Sequence, residues 1–315
     1  MRRGASGINA LIAVDKPEGP SSHDVVARVR RATGEGRVGH AGTLDPAASG
    51  VLVVGIGQGA RLLGRITLDD KRYLARVRFG QETDTCDAEG QVVRTAEVSA
   101  CVADEAFARE RVGSLVGRLD QVPPAYSAIS RGGVRAYDAA RAGHPLELEP
   151  RSVEVLAAAL VGMGPAEGGE FDWLVDLTVS KGFYVRSFAR DLGRELGSCA
   201  YLAGLRRTAA GMVDERECVA LDALDEGGAA AVRAAELDPA RLLGLPVRSL
   251  SEAEAADVAC GRGIPVGDAG IEEGEECSLV SEGRLRGVWR RRGGRLVCSQ
   301  NYPDGIEGAC CHGQR

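Results

Sequence analysis

The chain has 315 residues, of which 44% are hydrophobic and 27% charged, a balance typical of a globular protein with one large domain and a smaller one, or with two. No run of about 18 uncharged apolar residues is present, which argues against a membrane span, and the charged N-terminus has no apolar segment behind it, which argues against a signal peptide. The net charge of -6 is unevenly distributed: residues 1–80 hold 13 Lys or Arg against 7 Asp or Glu, and residues 284–295 hold six arginines and no acid. Because phosphate binding depends on such local patches, a nucleic-acid partner is not excluded.

The first part of the chain is predicted to form strands around one helix. Residues 11–14 are a short apolar run that ends at a proline-containing turn, which predicts a strand. Ser21 or Ser22 is predicted to cap the helix that follows. Residues 51–56 are continuously apolar and predict a buried strand, whereas residues 71–79 alternate and predict a half-buried one.

The middle of the chain mixes helices and strands. The predicted elements are a helix over 104–116, a short helix over 134–142, an alternating strand over 171–179 and a helix over 184–196 with Gly197 as its C-cap. Since these elements do not follow a regular βαβ alternation, the expected fold class is α+β rather than a doubly wound sheet.

A composition shift predicts a boundary near the C-terminal end. The Ala/Gly-rich stretch 226–236 and Pro246 favour an interdomain segment. We expect residues 247–302 to form a small, short-stranded and turn-rich β domain, followed by a flexible tail over 303–315.

The nine cysteines form no CxxC pair and no His-Cys cluster. Their odd number and scattered spacing favour free thiols over a disulfide framework or a zinc site. The expectation is therefore a cytoplasmic location and no bound metal. Cys310 and Cys311 are assigned to the tail.

The segment over residues 39–46 holds one carboxylate, Asp45, in a glycine-rich loop that ends at Pro46. Glycine permits close backbone approaches, and proline restricts both itself and the residue before it. A short carboxylate held in this way suits a nucleophile or a general base. An isolated Asp-Pro pair more often only starts a turn, so the assignment depends on the other polar segments.

Four further segments carry polar groups that a bare scaffold does not need. They are His40 in the same loop, Lys71-Arg72-Tyr73 at the start of a strand, the run Pro123-Pro124-Ala125-Tyr126-Ser127-Ala128-Ile129, and Ser180-Lys181-Gly182-Phe183-Tyr184-Val185-Arg186. Arg186 and Arg190 lie four residues apart on one helical face, and a solvated surface is the ordinary explanation unless one of them has a partner carboxylate.

Together with Leu205-Arg206-Arg207, these segments resemble the bacterial tRNA pseudouridine synthase B family, in the same order, over roughly residues 8–215. The part after about residue 246 resembles that family's PUA-like domain. The resemblance implies a mixed, mainly antiparallel catalytic domain over 8–240 and a PUA-like RNA-binding domain over 247–302. The family usually has lysine where this chain has Ser130, which Arg131 follows.

The resemblance also implies a reaction, the conversion of uridine to pseudouridine at position 55 in the T-loop of tRNA. Asp45 resembles the catalytic aspartate that assists cleavage of the glycosidic bond, either by attack on the sugar or as a base. The freed uracil then rotates and rejoins through C5. No cofactor is implied, and the expected partner of the monomeric enzyme is the T-arm stem-loop of tRNA.

Roles for other residues follow from the same resemblance. The uridine must be flipped out of its stack to react. Tyr73 is expected to stack on it, His40 to pack against it, Leu205 to line the uracil pocket and Arg186 to pair with Asp45, with Tyr184 as a further substrate-binding residue. The expected phosphate contacts are Lys16, Arg37, Lys71, Arg131, Lys181, Arg206 and Arg207.

Two alternatives stay open. In the first alternative, the chain is a tRNA-binding or folding module without catalysis. In the second, it is a sugar hydrolase, which needs two carboxyl groups flanking the scissile bond. The acids nearest to qualifying as the second are Asp84 and Asp87, in a loop that the sequence places at the surface.

Overall fold

The computed structural model describes residues 6–66, 70–127, 129–131, 133–144, 146–267 and 270–310. The chain divides into two compact units. The first unit contains Met1–Pro46, Gly50–Leu68 and Gly211–Arg315, and the second contains Ala47–Ser49 and Asp69–Ala210. Each unit is described by itself.

The described residues form strands β1 (Ala10–Lys16), β2 (Val38–Ala41), β3 (Ala48–Ile56), β4 (Lys71–Phe79), β5 (Gln81–Thr83), β6 (Val92–Thr95), β7 (Gly117–Gln121), β8 (Ser130–Arg131), β9 (Val134–Arg135), β10 (Arg151–Pro165), β11 (Phe171–Val179), β12 (Ala200–Ala210), β13 (Val213–Asp214), β14 (Cys218–Ala220), β15 (Val247–Ser249), β16 (Ile264–Pro265), β17 (Glu276–Ser281), β18 (Arg284–Arg292) and β19 (Arg295–Glu307). The α-helices are α1 (Ser22–Thr33), α2 (Gly59–Leu62), α3 (Glu105–Gly113), α4 (Ala136–Arg141), α5 (Val185–Glu195), α6 (Leu221–Ala234), α7 (Pro239–Leu243) and α8 (Glu252–Ala259).

In the first unit, β1 pairs antiparallel with β3 and parallel with β14, and β2 pairs antiparallel with β3. Helices α1 and α6 contribute apolar side chains to the same core as these strands. The helix that follows the first strand begins as predicted, because Ser21 is its N-cap and forms a capping box with Asp24. His40 differs from expectation, since it lies in β2 opposite Val54 rather than in the loop. Its backbone is therefore fixed by strand pairing.

The C-terminal part of the first unit is a five-stranded sheet in the order β15-β17-β18-β19-β16. Its core contains the fully buried Trp289. The expected short strands are wrong for β18 and β19, which have 9 and 13 residues. Residues 303–307 likewise belong to β19 rather than to a tail, because the strand continues to pair with β18 as far as Glu307. Residues 311–315, including Cys311, lie outside the described residues.

The Ala/Gly-rich stretch near residue 230 is not an interdomain linker. It forms most of α6, which is interrupted at Gly228, where φ is +54°. Alanine is the strongest helix former, so an alanine-rich stretch that packs on a core is helical in spite of its glycines. The composition shift was misinterpreted because it fits either a helix or a linker.

The second unit is built on an antiparallel sheet in the order β12-β4-β11-β10-β7. Helix α5 packs against β12 and helix α3 against β10. The predicted alternation along residues 71–79 is confirmed, because Tyr73, Ala75, Val77 and Phe79 are buried. Phe79 meets Trp173 edge to face at 4.9 Å between ring centroids. The predicted α+β class with a mainly antiparallel sheet is confirmed.

No helix among the described residues is both long enough and apolar enough to span a bilayer. Among the described cysteines, Cys199 and Cys277 are fully buried, and both carry free thiols.

Candidate active site

Asp45 lies in the loop between β2 and β3, and its side chain is partly exposed. Both of its neighbours in the chain are held. Ser22 Oγ accepts a hydrogen bond from the Leu44 N–H at 2.9 Å and donates one to the Leu44 carbonyl at 3.0 Å. The Pro46 carbonyl accepts from the Gly19 N–H at 2.9 Å. The expected loop is present, and these hydrogen bonds hold it in addition to the conformational restriction by proline.

Lys16 is not accessible for the predicted phosphate contact. Its side chain is fully buried, and Nζ donates to the carbonyls of Pro17, Pro20 and Pro46 at 2.9, 2.8 and 3.2 Å. A buried ammonium surrounded by carbonyl oxygens is a structural support. Lys16 therefore stabilises the C-terminal side of the Asp45 loop.

The remaining predicted residues of the first unit lie beside this loop in the sequence. The His40 ring meets His23 of α1 edge to face, with 5.5 Å between the centroids and an angle of 86° between the planes. Arg37 is exposed just before β2 begins, which leaves its guanidinium accessible.

Strand register brings Tyr73 and Leu205 to one face of the sheet of the second unit. Tyr73 of β4 is opposite Arg207 of β12, and Leu205 is opposite Ala75. Directly opposite residues share a face, and so do residues two apart on a strand. Tyr73 is 7% exposed and Leu205 partly exposed. An aromatic ring and an apolar side chain are thus placed together.

Arg207, on the same face, is only 1% exposed. Its predicted phosphate contact is wrong for that reason. Arg206 is opposite Leu74, points to the other face and is partly exposed.

Tyr184 is the N-cap of α5, and its backbone is held by Gln121 at the end of β7. The Gln121 side-chain oxygen accepts from the Tyr184 N–H at 2.7 Å, and the side-chain nitrogen donates to the Tyr184 carbonyl at 3.0 Å. Gln121 is 1% exposed. One buried amide therefore fixes the start of the helix that carries Arg186.

Arg186 is buried in the first turn of α5. Its guanidinium donates to the Thr85 carbonyl at 3.3 Å and the Tyr126 carbonyl at 3.0 Å, and lies 3.5 Å from the carboxylate of Asp87. Arg190, one turn later, pairs with its neighbour Asp191. Of Arg186 and Arg190, it is Arg186 whose partner carboxylate is buried.

The loop that contains Asp84 and Asp87 was expected at the surface, and this expectation is wrong for Asp87. It is 7% exposed, whereas Asp84 is exposed. Between them Cys86 adopts a left-handed conformation with φ of +61°, which is uncommon for a residue with a side chain. This turn directs the loop inward at Asp87.

The predicted pairing of Arg186 with Asp45 stays a prediction, because Asp45 belongs to the first unit and Arg186 to the second. Lys71 begins β4 and is partly exposed, and Lys181 is exposed in the turn before α5. Arg131 lies in β8, but its side chain, like Ala128, is outside the part of the chain that the structure describes.

The arginine-rich segment of the C-terminal sheet is less basic than its sequence indicated. The salt bridges on β18 are Arg284 with Glu307, Arg286 with Glu282, Arg290 with Glu276 and Arg291 with Glu273. The glutamates come from outside the segment, so a local count of charges misses them. Within the described ranges Arg292 is exposed and forms no salt bridge.

Three supporting residues were not predicted as part of the site: Ser22, Gln121 and Asp87. Ser22 was considered only as a helix cap, although two adjacent serines leave one hydroxyl available for another task. The polar turn after β5 was a sequence feature that could have pointed to Asp87, whereas no sequence feature pointed to Gln121. In the described part of the chain, no three His, Cys, Asp or Glu side chains are grouped closely enough to hold a metal ion.

Comparison with known proteins identifies the sequences that this chain resembles. The model of the TruB family pseudouridylate synthase N-terminal domain matches residues 30–185. The tRNA pseudouridine synthase B of Thermobifida fusca is 44% identical over 266 residues, which cover 83% of this chain and 89% of that protein. The chain belongs to the TruB family of pseudouridylate synthases. Another TruB relative, the tRNA pseudouridine synthase B of Mycobacterium sp. strain KMS, is 42% identical and the match covers 90% of this chain and 95% of that protein.

The TruB assignment is accompanied by structural similarity. A chain in the crystal structure of the archaeal box H/ACA sRNP Nop10-Cbf5 complex matches with a TM-score of 0.63 and 23% sequence identity, covering 94% of this chain and 87% of that chain. At this identity the similarity supports the fold alone.

Proposed function

We propose that this TruB family enzyme isomerises uridine to pseudouridine at position 55 in the T-loop of tRNA, with Asp45 as its catalytic residue. Family membership supports pseudouridine formation in tRNA. The observation that supports the role of Asp45 is its loop: the carboxylate is partly exposed while the residues before and after it are fixed by hydrogen bonds. A reacting group held in this way loses little freedom in the transition state.

The proposed reaction is an isomerisation. The target uridine is flipped out of its stack, which costs a few kcal/mol. The bond between N1 and C1′ breaks, the uracil rotates, and a bond between C5 and C1′ forms while C5 loses a proton and N1 gains one. Asp45 assists as a nucleophile at the sugar or as a base. Because atoms and electrons balance within the substrate, the reaction needs no cofactor.

The second unit is proposed to hold the flipped base. Tyr73 and Leu205 lie on one face of the sheet, and they supply a stacking ring and an apolar surface that excludes water. Arg186 is proposed to pair with Asp45, and Tyr184 and His40 to contact the nucleotide. The accessible cations Arg37, Lys71, Lys181 and Arg206 are the proposed phosphate contacts, with Arg131.

The T-arm of tRNA is the proposed substrate segment, bound by a monomer in the cytoplasm. Residues 8–240 are the proposed catalytic domain and 247–302 the proposed PUA-like RNA-binding domain. Since most arginines of β18 are already paired with glutamates, Arg292 is its best candidate for a phosphate contact.

The test of this function is Asp45→Asn, assayed on a T-arm transcript by mass spectrometry of modified uridines. The variant is expected to lose at least about 100-fold in rate, the lower range for removing an acid-base group, while its affinity for the RNA is retained. Asp84→Asn, at an exposed aspartate, is the matched control and is expected to keep full activity.

Equal modification by wild type and Asp45→Asn, or none by either, contradicts the proposal and favours a non-catalytic tRNA-binding module. Release of free uracil by the wild type supports the hydrolase alternative instead.

A further inference from the structure

We propose that Ser22 is a positioning residue for Asp45, acting through the backbone of Leu44. The inference rests on the proposed function, because it concerns the rate of pseudouridine formation. It assigns Ser22 a task other than helix capping, which Ser21 performs.

Ser22 meets both backbone polar groups of one loop residue. Its hydroxyl accepts from the Leu44 N–H at 2.9 Å and donates to the Leu44 carbonyl at 3.0 Å. A serine hydroxyl has one donor and two acceptor positions, so a single side chain satisfies both groups. Ser22 is 1% exposed and Leu44 is 3% exposed, which keeps water from replacing the hydroxyl.

These two hydrogen bonds, here called the clamp, act directly on the residue before Asp45. With Leu44 fixed on one side and the Pro46 carbonyl fixed by Gly19 and Lys16 on the other, Asp45 has few backbone conformations available. The start of α1 therefore helps to fix the backbone from which the carboxylate projects. Removing the hydroxyl leaves a buried N–H and a buried carbonyl without this partner, and the loop is expected to shift to satisfy them.

The adjacent serine offers a matched control. Ser21 accepts from the Asp24 N–H at 3.2 Å and caps α1, but its side chain forms no hydrogen bond to the loop in the described residues. Ser21→Ala removes the cap of α1 and leaves the hydrogen bonds to Leu44 intact, whereas Ser22→Ala removes the hydrogen bonds to Leu44 and leaves the cap.

The experiment measures kcat and KM of full-length wild type, Ser21→Ala and Ser22→Ala on a T-arm transcript, with the folded fraction of each taken from circular dichroism at the assay temperature. Ser22→Ala is expected to lose roughly 10- to 100-fold in kcat per folded molecule, with KM within about twofold of wild type, because a misplaced reacting group lowers the rate without weakening RNA binding. Ser21→Ala is expected to stay within about twofold of wild type in both constants.

The proposal is overturned if Ser22→Ala and Ser21→Ala have the same kcat per folded molecule. If Ser22→Ala does not fold, Ser22→Cys decides: a thiol is a weak donor and acceptor of similar shape, so kcat is expected to fall at least about fivefold, and an unchanged kcat overturns the clamp. No pseudouridine from the wild type contradicts the proposed function itself, whereas an active wild type with an unaffected Ser22→Ala contradicts the clamp alone.

Discussion

Arg186 shows how much a buried charge requires of its surroundings. It lies in the first turn of α5, where the helix dipole disfavours a cation, and that turn contains no acidic residue. Two carbonyls and the carboxylate of Asp87 compensate. Asp87 is itself held, because it accepts from the Thr85 hydroxyl at 2.5 Å and the Glu89 N–H at 3.1 Å. The guanidinium is thus oriented by two backbone carbonyls and by a carboxylate, all from outside α5.

Asp87→Asn is predicted to lower both activity and stability. The amide keeps the shape but removes the charge that compensates Arg186, and loss of a buried hydrogen-bonded charge costs about 1–3 kcal/mol in the free energy of unfolding. We expect kcat to fall at least about tenfold, since each 1.4 kcal/mol in the transition state corresponds to that factor. Urea denaturation and single-turnover rates measure the two effects.

Asp84→Asn is the control for this variant as well, because Asp84 is an exposed residue of the same loop. An Asp87→Asn enzyme with the kcat of the Asp84→Asn enzyme would show that Arg186 does not depend on Asp87.

At the level of elements, α5 is anchored by a side chain from the sheet rather than by its own sequence. Its N-cap is Tyr184, which makes no side-chain capping hydrogen bond. Gln121, from β7, bonds to both backbone groups of that residue instead. The start of the helix is therefore tied to one edge of the sheet of the second unit.

Gln121→Ala is predicted to destabilise the second unit by about 1–3 kcal/mol, because the part-buried Tyr184 N–H loses its acceptor and the Tyr184 carbonyl keeps only the Phe188 N–H. Thermal unfolding followed by circular dichroism measures this loss. Gln91→Ala replaces an exposed glutamine and is expected to leave the melting temperature unchanged. Equal melting temperatures for the two variants would mean that α5 finds another N-cap.

On the scale of the whole molecule, distant parts of the chain meet within the first unit at two carboxyl groups. Glu236 follows α6 and pairs with Ile12 of β1, while the N–H of Glu307, at the end of β19, donates to the Asn9 carbonyl at 2.7 Å. Burial, then the charge of Glu307 and a hydrogen bond to it, raise the pKa of Glu236 from 4.5 to about 7, against the opposing effect of Arg233 and Arg284.

This pair predicts that stability depends on pH. Because the folded state holds the Glu236 proton more tightly than the unfolded state, its contribution is fully present below pH 4.5 and is lost as pH rises through about 7. Wild type should therefore unfold at a lower urea concentration at pH 8 than at pH 6, and Glu236→Gln, which mimics the protonated carboxyl, should show a smaller difference.

Glu226→Gln replaces an exposed glutamate of α6 and should retain the wild-type pH dependence. If Glu236→Gln also retains the wild-type pH dependence, then these two carboxyl groups do not cause the pH dependence of stability.

Much of the fold was predictable from local patterns. Residues 71–79 alternate because one side of β4 is buried, and Ser21 marks the start of α1 because its side chain satisfies a helical N–H. The stretch around residue 230 was not predictable, since alanine and glycine suit both a helix and a linker until packing decides between them.

The sequence by itself determined the family, the reaction class and the candidate carboxylate, because these follow from residue types at fixed positions along the chain. Only the tertiary structure decided that Lys16 and Arg207 are buried, that Ser22 and Gln121 hold the backbone of other elements, and that Asp87 faces Arg186. The physical reason is that burial and the choice of hydrogen-bond partner depend on segments far apart in the chain, whose approach is set by packing rather than by local composition.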